Sequence, residues 1–498
     1  MVGVPGRSKA CSTCRKRRKG CDQQRPACGQ CLRARLECGG YERTRVFVQV
    51  NPDSAYQATV ASKVDSKKWA PPIVLHNHLS RSAFEVGHLA NFWQTFLPRG
   101  HSDPAQQLGT VDWINSVQQL YVSDRSLYSA LMAISFYTVG KSESQRWMME
   151  EGLRQQIASV SSMKHALQSP SAPSGEAIIA TARLISLFVI LHGENKKGAG
   201  EQKHTWIRLV MGELALITSR KPEDFAEGHA HQFFLETRQN LAIIALSMCK
   251  TIALNSPEWK TKPWAKIPKL PMDHLIDIIF DIPGMQELTE LWVLCPDPEL
   301  RDRVRRQVVS RAWSMDARLI RWAQDHGPFQ SGYDPPSEAV LEEIRNNLGL
   351  AYIMSLFWGA QLLVVAMLRS STPPEEALPE RTDMMRYIRF LVMVTPAFYK
   401  PHAGIVGSHL VTFAVSTALN FLGTMDRGTE LPEYQALTSF LATSGFLKKG
   451  YSAKIMDPTV RKCFEWLCEA ERRRRAKFGP GASGETTTTA GILAIMDA

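Results

Sequence analysis

The feature that most constrains this chain is a cysteine spacing that repeats within its first forty residues. The stretch CSTCRKRRKGC, residues 11–21, is followed by CGQCLRARLEC, residues 28–38, so the pattern C-x2-C-x6-C occurs twice. A segment this short and polar buries too little apolar surface to fold by itself, so the cysteines are expected to provide its core. The six positions are Cys11, Cys14, Cys21, Cys28, Cys31 and Cys38.

Zinc accounts for these cysteines better than disulfide bonds do. The amino-terminal sequence MVGVPGRSKACSTC has no apolar stretch typical of a secretory signal, so we expect a reducing environment inside the cell. Cysteines at C-x2-C spacing are typical zinc ligands, because two thiolates at the start of a helical turn reach one tetrahedral ion. Four further cysteines are scattered and are interpreted as small buried side chains: Cys249, Cys295, Cys463 and Cys468.

The number of sulfurs limits how zinc can be held. Two separate tetrahedral sites need eight ligands, so six thiolates suffice for two ions only if two sulfurs are shared. The alternatives are one four-cysteine site with two spare thiols, or two sites completed by other ligands. No histidine lies between Ser8 and Tyr41, which argues against mixed ligands. A bridged cluster of two zinc ions is therefore the most economical interpretation.

Positive charge is concentrated in the same segment. The formal net charge is +11, and the first 45 residues carry +9 of it, from twelve Lys/Arg against three acidic residues. A basic head on a nearly neutral body is typical of a polyanion-binding module joined to a unit with another role. In the first copy five cations are consecutive, and these are Arg15, Lys16, Arg17, Arg18 and Lys19.

The two copies are expected to present different faces. We predict that the basic run forms a charged helix that enters a nucleic-acid groove, while Leu32 and Leu36 of the second copy pack on the cluster. Arginine forms bidentate hydrogen bonds with O6 and N7 of guanine, so G·C-rich DNA is the expected target. The same run can also serve as a nuclear-localisation signal.

Residues 11–38 resemble the zinc binuclear-cluster DNA-binding domain of fungal transcription regulators, and Pro26 between the two copies also matches that family. The resemblance implies two zinc ions per chain, with Cys11 and Cys28 as bridging ligands. The resemblance further implies that Cys14 and Cys21 complete the ligands of one zinc ion, and that Cys31 and Cys38 complete those of the other.

The resemblance also implies how DNA is read. The first helix would enter the major groove of double-stranded DNA end-on and read a CGG-type triplet. The main base-reading residue of the family falls at Arg18, where the family has lysine, with Arg17 beside it. Gly20 stands where the family usually has a lysine or arginine that contacts phosphate, which implies one backbone contact fewer.

The rest of the chain is predicted to be helical. Residues 41–72 contain prolines and no sustained heptads, so we interpret residues 46–80 as a linker. In FEVGHLANFWQTFLPRG apolar residues recur at helical spacing and stop before Pro98, and a second helix is expected from a Ser/Asp cap at 123–124 to Gly140. Breaks are predicted at QSPSAPSGE, HGENKKGAGEQK and STPPEEALPERT. Convincing period-2 strand pairs are absent from the sequence.

Three further patterns bear on function. Residues 346–368 are uncharged and long enough to cross a membrane, but we interpret them as a buried central helix and predict no membrane association. The histidine pairs at 76 and 78 and at 229 and 231 have no third ligand nearby, so a structural role is favoured. No GxxxxGK[ST], GxSxG or HExxH motif occurs, so an enzyme is not predicted.

The region from Gly212 to Trp264 resembles the middle regulatory region of the same fungal family. We therefore predict a mostly α protein with a small two-zinc, six-cysteine cluster domain (1–45), the linker, a large all-α regulatory domain (81–470), and a basic then low-complexity tail (471–498). The basic run at residues 472–477 would be a second nuclear signal or a solvated helix end.

The predicted function is a zinc-dependent, sequence-specific DNA-binding transcription regulator of RNA polymerase II genes in the nucleus. Its expected partners are double-stranded DNA with CGG-like half-sites, the transcription machinery, and a second copy of the chain bound through the helical domain. The alternative is a zinc-stabilised protein-interaction adaptor without sequence-specific DNA binding.

Overall fold

The computed structural model describes residues 9–41, 77–98, 112–168, 175–193, 199–328, 336–373, 375–425 and 427–443. The chain divides into two compact units, residues 1–76 and 77–498. Regular structure within the described ranges is helical, without strands, which confirms the predicted fold class. Most of the predicted linker, the tail, Cys463, Cys468 and the side chains of His76 and His78 lie outside the described residues.

Within its described residues 9–41, the smaller unit forms two short helices, α1 (Ser12–Lys16) and α2 (Gly29–Arg33). The larger unit is built from α-helices joined by turns and short 3₁₀ segments. These α-helices are α3 (Asn77–Phe96), α4 (Asp112–Leu120), α5 (Arg125–Ser142), α6 (Arg146–Gln168), α7 (Glu176–His192), α8 (Ala199–Thr218), α9 (Gly228–Met248), α10 (Pro257–Thr261), α11 (Pro271–Ile279), α12 (Ile282–Leu294), α13 (Pro298–His326), α14 (Glu338–Asn346), α15 (Leu348–Ser371), α16 (Met384–Val394), α17 (Gly404–Leu410), α18 (Thr412–Thr424) and α19 (Pro432–Thr443).

Helix α3 follows its predicted pattern. It ends two residues before Pro98, which cannot continue a helix, and its apolar stripe faces the core. Leu89, Phe92 and Phe96 are buried, and they contribute to one continuous hydrophobic core of the helical unit. The periodicity therefore identified both the helix and its buried face.

Helix α5 starts where predicted but does not end at Gly140. The Asp124 carboxylate caps it by accepting a hydrogen bond from the Leu127 backbone N–H at 2.8 Å, and the helix continues to Ser142. At Gly140 a Cβ atom would lie 2.7 Å from Cβ of Met148 on α6. Gly140 therefore permits close approach of α5 and α6 rather than terminating a helix, and its role was predicted wrongly.

Helix α15 is the apolar segment that resembled a membrane span. Its length and composition would permit it to cross a bilayer, but 89% of its most apolar 18-residue stretch is buried inside the protein. Its polar residue Gln361 donates a hydrogen bond to Oδ1 of Asp316 on α13 at 2.5 Å, and Arg381 reaches Oδ2 of the same carboxylate at 3.2 Å. Because most of its apolar surface is buried and the Gln361 amide N–H has a partner inside the fold, α15 is a central core helix, as predicted.

Buried charges connect the helices around α9. Arg183 on α7 pairs with Glu236 on α9 at 2.6 Å. Arg238, also on α9, is 1% exposed and contacts the carboxylates of Asp273 and Asp277 on α11. Its guanidinium also lies over the ring of Trp264, 4.7 Å from the centroid. Such pairs fix helix positions, because a buried charge without its partner is costly.

Acid is expected to destabilise the helical unit through His192. Burial lowers the pKa of His192 to about 3, and its Nε2 lies 2.7 Å from Oγ1 of Thr138. The unfolded chain takes up a proton below a pH of about 6.5, whereas the folded chain does not. The stability contributed by neutral His192 is therefore complete above that pH and is lost as pH falls toward 3.

The His192→Gln variant is expected to lose less stability on acidification. Between pH 6 and 4, the free energy of unfolding in urea should fall more slowly for this variant than for the unsubstituted chain. The difference between the two slopes should be up to about 1.4 kcal/mol per pH unit. Tryptophan fluorescence reports this transition selectively, because residues 1–68 contain no tryptophan. Exposed His204 provides the control, and an equal effect of His204→Gln would contradict the assignment.

Candidate metal centre and nucleic-acid interface

The two cysteine copies fold into the same local structure. Cys11 caps the start of α1, and its Sγ accepts a hydrogen bond from the Cys14 backbone N–H at 3.3 Å. Cys28 caps α2 in the same way, with its Sγ 3.4 Å from the Cys31 backbone nitrogen. The C-x2-C spacing therefore places both sulfurs of each pair at the first turn of a helix, as predicted.

Each helix ends in a matching turn that returns the chain toward the sulfurs. Arg18 and Arg35 have φ values of +53° and +50°, the left-handed conformation that stops a helix. The Lys19 N–H donates to the Cys14 carbonyl at 3.1 Å, and the Leu36 N–H donates to the Cys31 carbonyl at 3.0 Å. These turns bring the third cysteine of each copy back to the centre.

The six sulfurs converge into two overlapping groups. One group contains Cys11, Cys14, Cys21 and Cys28, the other contains Cys11, Cys28, Cys31 and Cys38, and the sulfurs within each group lie within 4.8 Å of one another. Cys11 and Cys28 belong to both groups, and their sulfurs are 3.6 Å apart.

These spacings suit zinc. Zn–S bonds of about 2.3 Å in a tetrahedron place neighbouring sulfurs about 3.8 Å apart. The Cys14–Cys28 sulfur pair lies at 3.6 Å and the Cys11–Cys31 pair at 3.8 Å. Each group therefore has the size of a tetrahedral zinc site, and the two shared sulfurs resolve the shortage of ligands.

Sulfur fills the interior of this unit. Four of the cysteines are fully buried, and among the described hydrophobic residues the other two cysteines, Ala10 and Tyr41 pack against them. Burial raises the pKa of Cys14 to about 12, whereas the Cys11 backbone N–H lowers the pKa of Cys21 to about 7. A metal ion must displace the protons from buried thiols, so metal binding depends on pH. Metal binding is also coupled to folding, because the sulfurs are brought together only in the folded unit.

Hydrogen bonds from α1 join the two halves. The Ser12 backbone N–H donates to the Gly40 carbonyl at 2.9 Å, and the Ser12 hydroxyl donates to the Gly39 carbonyl at 2.7 Å. The Thr13 hydroxyl donates to the Glu37 carbonyl at 3.0 Å and accepts from the Gly39 N–H at 2.9 Å. Helix α1 is thus fixed to the end of the second copy independently of the sulfurs.

The basic run projects from this core into solvent. All five cations are exposed, and none of them forms an ion pair within residues 9–41. The prediction of one charged helix is only half right, because α1 ends at Lys16. Arg17 caps the helix, and Arg18 and Lys19 continue in the left-handed turn, which directs the chain back to Cys21.

The predicted role of the two leucines is wrong. Leu32 and Leu36 are 62% and 43% exposed and do not pack on the cluster. Their spacing would share a helical face only if α2 continued, but α2 ends at Arg33 and the chain turns at Arg35. The second copy therefore presents an apolar surface where the first presents cations.

The other candidate ligands have ordinary structural roles. His229 Nδ1 lies 2.9 Å from the Ser116 hydroxyl, and buried His231 lies 2.8 Å from the Phe225 carbonyl. Cys249 and Cys295 are buried in the helical unit, as predicted. Among the described residues, the two sulfur groups are the only sets of three or more potential ligands close enough to hold a metal ion.

Comparison with known families agrees with both units. The family model for the fungal Zn(2)-Cys(6) binuclear cluster domain matches residues 9–45, and that for the fungal specific transcription factor domain matches residues 76–345. The chain belongs to this family of fungal transcription factors. Domains of this kind regulate transcription and are not enzymes, and the family implies a nuclear location. The cluster domain binds two zinc ions, which confirms the predicted cofactor.

Similarity to individual curated proteins is short. A 29-residue stretch is 62% identical to Sterol uptake control protein 2 of Candida albicans. This stretch is 6% of this chain and 4% of that protein. The chain therefore shares only a small part of the length of this relative. No solved structure matches.

Several contacts in this fungal transcription factor were not predicted from its sequence. Ser12 and Thr13 were not considered, although their hydroxyls join the two halves of the head. Tyr41 was also missed, and its hydroxyl donates to the Gln24 carbonyl at 2.6 Å. Two hydroxyl residues directly after the first cysteine were the available signal, but their acceptors lie more than twenty residues away.

Proposed function

We propose that this transcription regulator is a zinc-dependent, sequence-specific DNA-binding protein of RNA polymerase II genes that reads CGG-like triplets in the major groove. The observation that carries the proposal is the exposed basic run on a rigid, sulfur-filled core. A fixed core holds the cations in one arrangement, which recognition of base edges requires and non-specific attraction to phosphate does not.

Each cysteine has a proposed ligand role in this cluster. Cys11 and Cys28 bridge the two ions, because they alone belong to both sulfur groups. Cys14 and Cys21 complete one zinc site, and Cys31 and Cys38 complete the other. Zinc supplies the folding free energy of the head, and the protein residues orient the DNA-binding face.

The basic residues divide between base reading and phosphate contact. Arg18 is the proposed guanine reader, with Arg17 beside it, because the left-handed turn after α1 places Arg18 at the exposed end of the helix. Arg15, Lys16 and Lys19 are the proposed phosphate contacts around it. Gly20 has open space around its Cα, so the place of the missing cation is sterically free.

The remaining predictions extend this function to the whole chain. The helical unit is proposed to carry regulation, contact with the transcription machinery and self-association. The domain limits at residues 45, 80 and 470 are proposed with it, and the nucleus is the proposed site of action.

Removing Arg18 should relax sequence preference. We expect Arg18→Ala to weaken binding to a CGG-containing duplex by roughly 1–3 kcal/mol, with a much smaller loss on a scrambled duplex. Lys16→Ala should weaken both duplexes alike and lower the salt slope by about one. Fluorescence anisotropy at several salt concentrations measures both effects.

Arg35→Ala is the matched control for this experiment. Arg35 is exposed, has the same left-handed backbone and occupies the equivalent position seventeen residues later in the second copy. If Arg18→Ala and Arg35→Ala cost the same on both duplexes, Arg18 acts only through its charge, and the base-reading proposal is wrong.

The exposure of Leu32 and Leu36 favours a second candidate function, a zinc-stabilised protein-interaction adaptor without sequence-specific DNA binding. An apolar surface on a small metal-stabilised unit is typical of protein contact. The same titrations separate the functions, because an adaptor would show no preference between the CGG-containing and the scrambled duplex. Its binding partner would be a protein, and Leu32→Asp would abolish that interaction without changing DNA affinity.

A further inference from the structure

Helix α6 exposes an apolar stripe to solvent. Ile157 is 71% exposed, and Leu153, Val160 and Leu167 are 48%, 48% and 49% exposed. These four side chains lie within about 80° of the helix circumference, so they form one stripe rather than scattered contacts. The opposite side of α6 carries buried Met148 and Gly152, which pack against α5. Aligned exposed aliphatic residues of this kind mark an interaction surface.

The stripe has the spacing of a helix-pairing seam. Leu153, Ile157, Val160 and Leu167 alternate at intervals of four, three and seven residues, and Lys164 fills the position between the last two. In heptad terms Ile157 and Lys164 occupy a positions, with the leucines and Val160 at d. Such a seam fits the groove of another amphipathic helix.

Charges at both ends of the stripe identify the partner helix. Glu150 and Lys164 are exposed and stand seven residues before and seven residues after Ile157. Glu150 also pairs with Arg146 one turn earlier on α6 at 2.8 Å, but this pair is exposed to solvent and contributes little energy. If two copies of α6 cross antiparallel with Ile157 on the two-fold axis, each Glu150 faces Lys164 of the other copy. A parallel pair would instead place Glu150 beside Glu150 and Lys164 beside Lys164. Self-complementarity of this kind is what a two-fold symmetric dimer requires.

We propose that a second copy of this chain binds here, through an antiparallel α6–α6 contact centred on Ile157. The contact would span about 21 Å from Glu150 to Lys164. It deepens the proposed function and rests on it for its purpose, since two heads on one dimer would read paired half-sites. Residues 41–72, directly after the cysteine head, contain no sustained heptads that would provide a dimer seam.

Sedimentation velocity of the zinc-loaded full-length chain without DNA tests the contact. We expect a dimer for the unsubstituted chain, and at least a tenfold weaker dimer for Ile157→Glu, which places two carboxylates together on the axis. Val122→Glu is the control, because Val122 is 77% exposed and lies outside α6. A monomeric unsubstituted chain at tens of micromolar, or equal weakening by both variants, would overturn the proposal.

A charge exchange tests the orientation of the pair. Glu150→Lys and Lys164→Glu should each weaken the dimer, because each places like charges opposite one another twice in the symmetric pair. The double exchange should restore dimerisation to within about threefold of the unsubstituted chain. Failure of the double variant to recover would exclude the antiparallel arrangement.

A photo-crosslinking amino acid at position 157 identifies what covers the stripe. Crosslinked peptides between the α6 helices of two chains would support the proposal. Crosslinks to residues 444–498 of the same chain would show that the stripe is covered internally and would overturn it. A separate measurement distinguishes failure of this contact from failure of the proposed function. On a duplex with a single CGG-like triplet, which needs only one head, Ile157→Glu should bind with the same affinity as the unsubstituted chain.

Discussion

Replacing Cys28 with serine is expected to remove both zinc ions from the full-length chain. The Cys28 sulfur belongs to both four-sulfur groups, so its loss leaves each site with three sulfurs. Structural zinc contributes on the order of 10 kcal/mol or more to the folding of small zinc domains. The sulfur-filled core has too little apolar surface to compensate, so the head should unfold and lose all affinity for DNA.

Metal analysis of the purified chain checks this result. We expect about two zinc ions per unsubstituted chain, none for Cys28→Ser, and about one for Cys38→Ser, because Cys38 belongs to only one group. Cys249→Ser is the control, since Cys249 is buried in the helical unit and should leave the zinc content unchanged. Equal zinc loss in Cys28→Ser and Cys38→Ser would contradict the bridging role of Cys28.

Replacing Arg238 with methionine is expected to destabilise the helical unit by about 3–5 kcal/mol. Methionine keeps much of the volume of the side chain, so the main loss is the buried positive charge. Asp273 would then be buried without the guanidinium that it contacts, and the partly buried Asp277 would keep only its ion pair with Lys269. The stacking of this guanidinium on Trp264 and Phe280 would be lost as well.

Urea unfolding followed by tryptophan fluorescence measures the effect. Lys266→Met is the matched control, because Lys266 pairs with Glu227 at 2.6 Å but both side chains are more than half exposed. That variant should cost about 1 kcal/mol or less. Adding Asp273→Asn to Arg238→Met should recover part of the stability, because Arg238 is the cation that Asp273 contacts among the described residues, whereas Asp277 also pairs with Lys269. If it lowers stability further, the unpaired carboxylate is not the cause.

The zinc head shows what local spacing can predict. Two cysteines three residues apart set their own geometry at a helix start, and the number of cysteines already favoured a cluster in which two zinc ions share sulfurs. The prediction that Leu32 and Leu36 pack on the cluster was wrong, because their spacing implies a common face only along a continuous helix. The left-handed turn at Arg35 interrupts that helix. The prediction that a helix ends at Gly140 was wrong because glycine also occurs where two helices pack closely, as α5 and α6 do here.

Long-range contacts in the helical unit were beyond the sequence. Apolar periodicity located α3 and its buried face, because burial repeats with the helical turn. The uncharged run at residues 346–368 located α15 as a buried helix. The partners of Arg238 lie 35 and 39 residues away, and no periodicity connects an arginine on one helix with two aspartates on another. In the same way, the stripe on α6 is visible as a pattern, but only the structure shows that its side chains are exposed.

A sulfur core gives the two units opposite thermodynamic signatures. Unfolding of the head exposes little apolar surface, so its heat-capacity change and its denaturant sensitivity are small. The helical unit exposes a large continuous core and has a steep response to heat and urea. The folded fraction of the head is therefore set by the concentration of free zinc, and that of the helical unit is set by temperature.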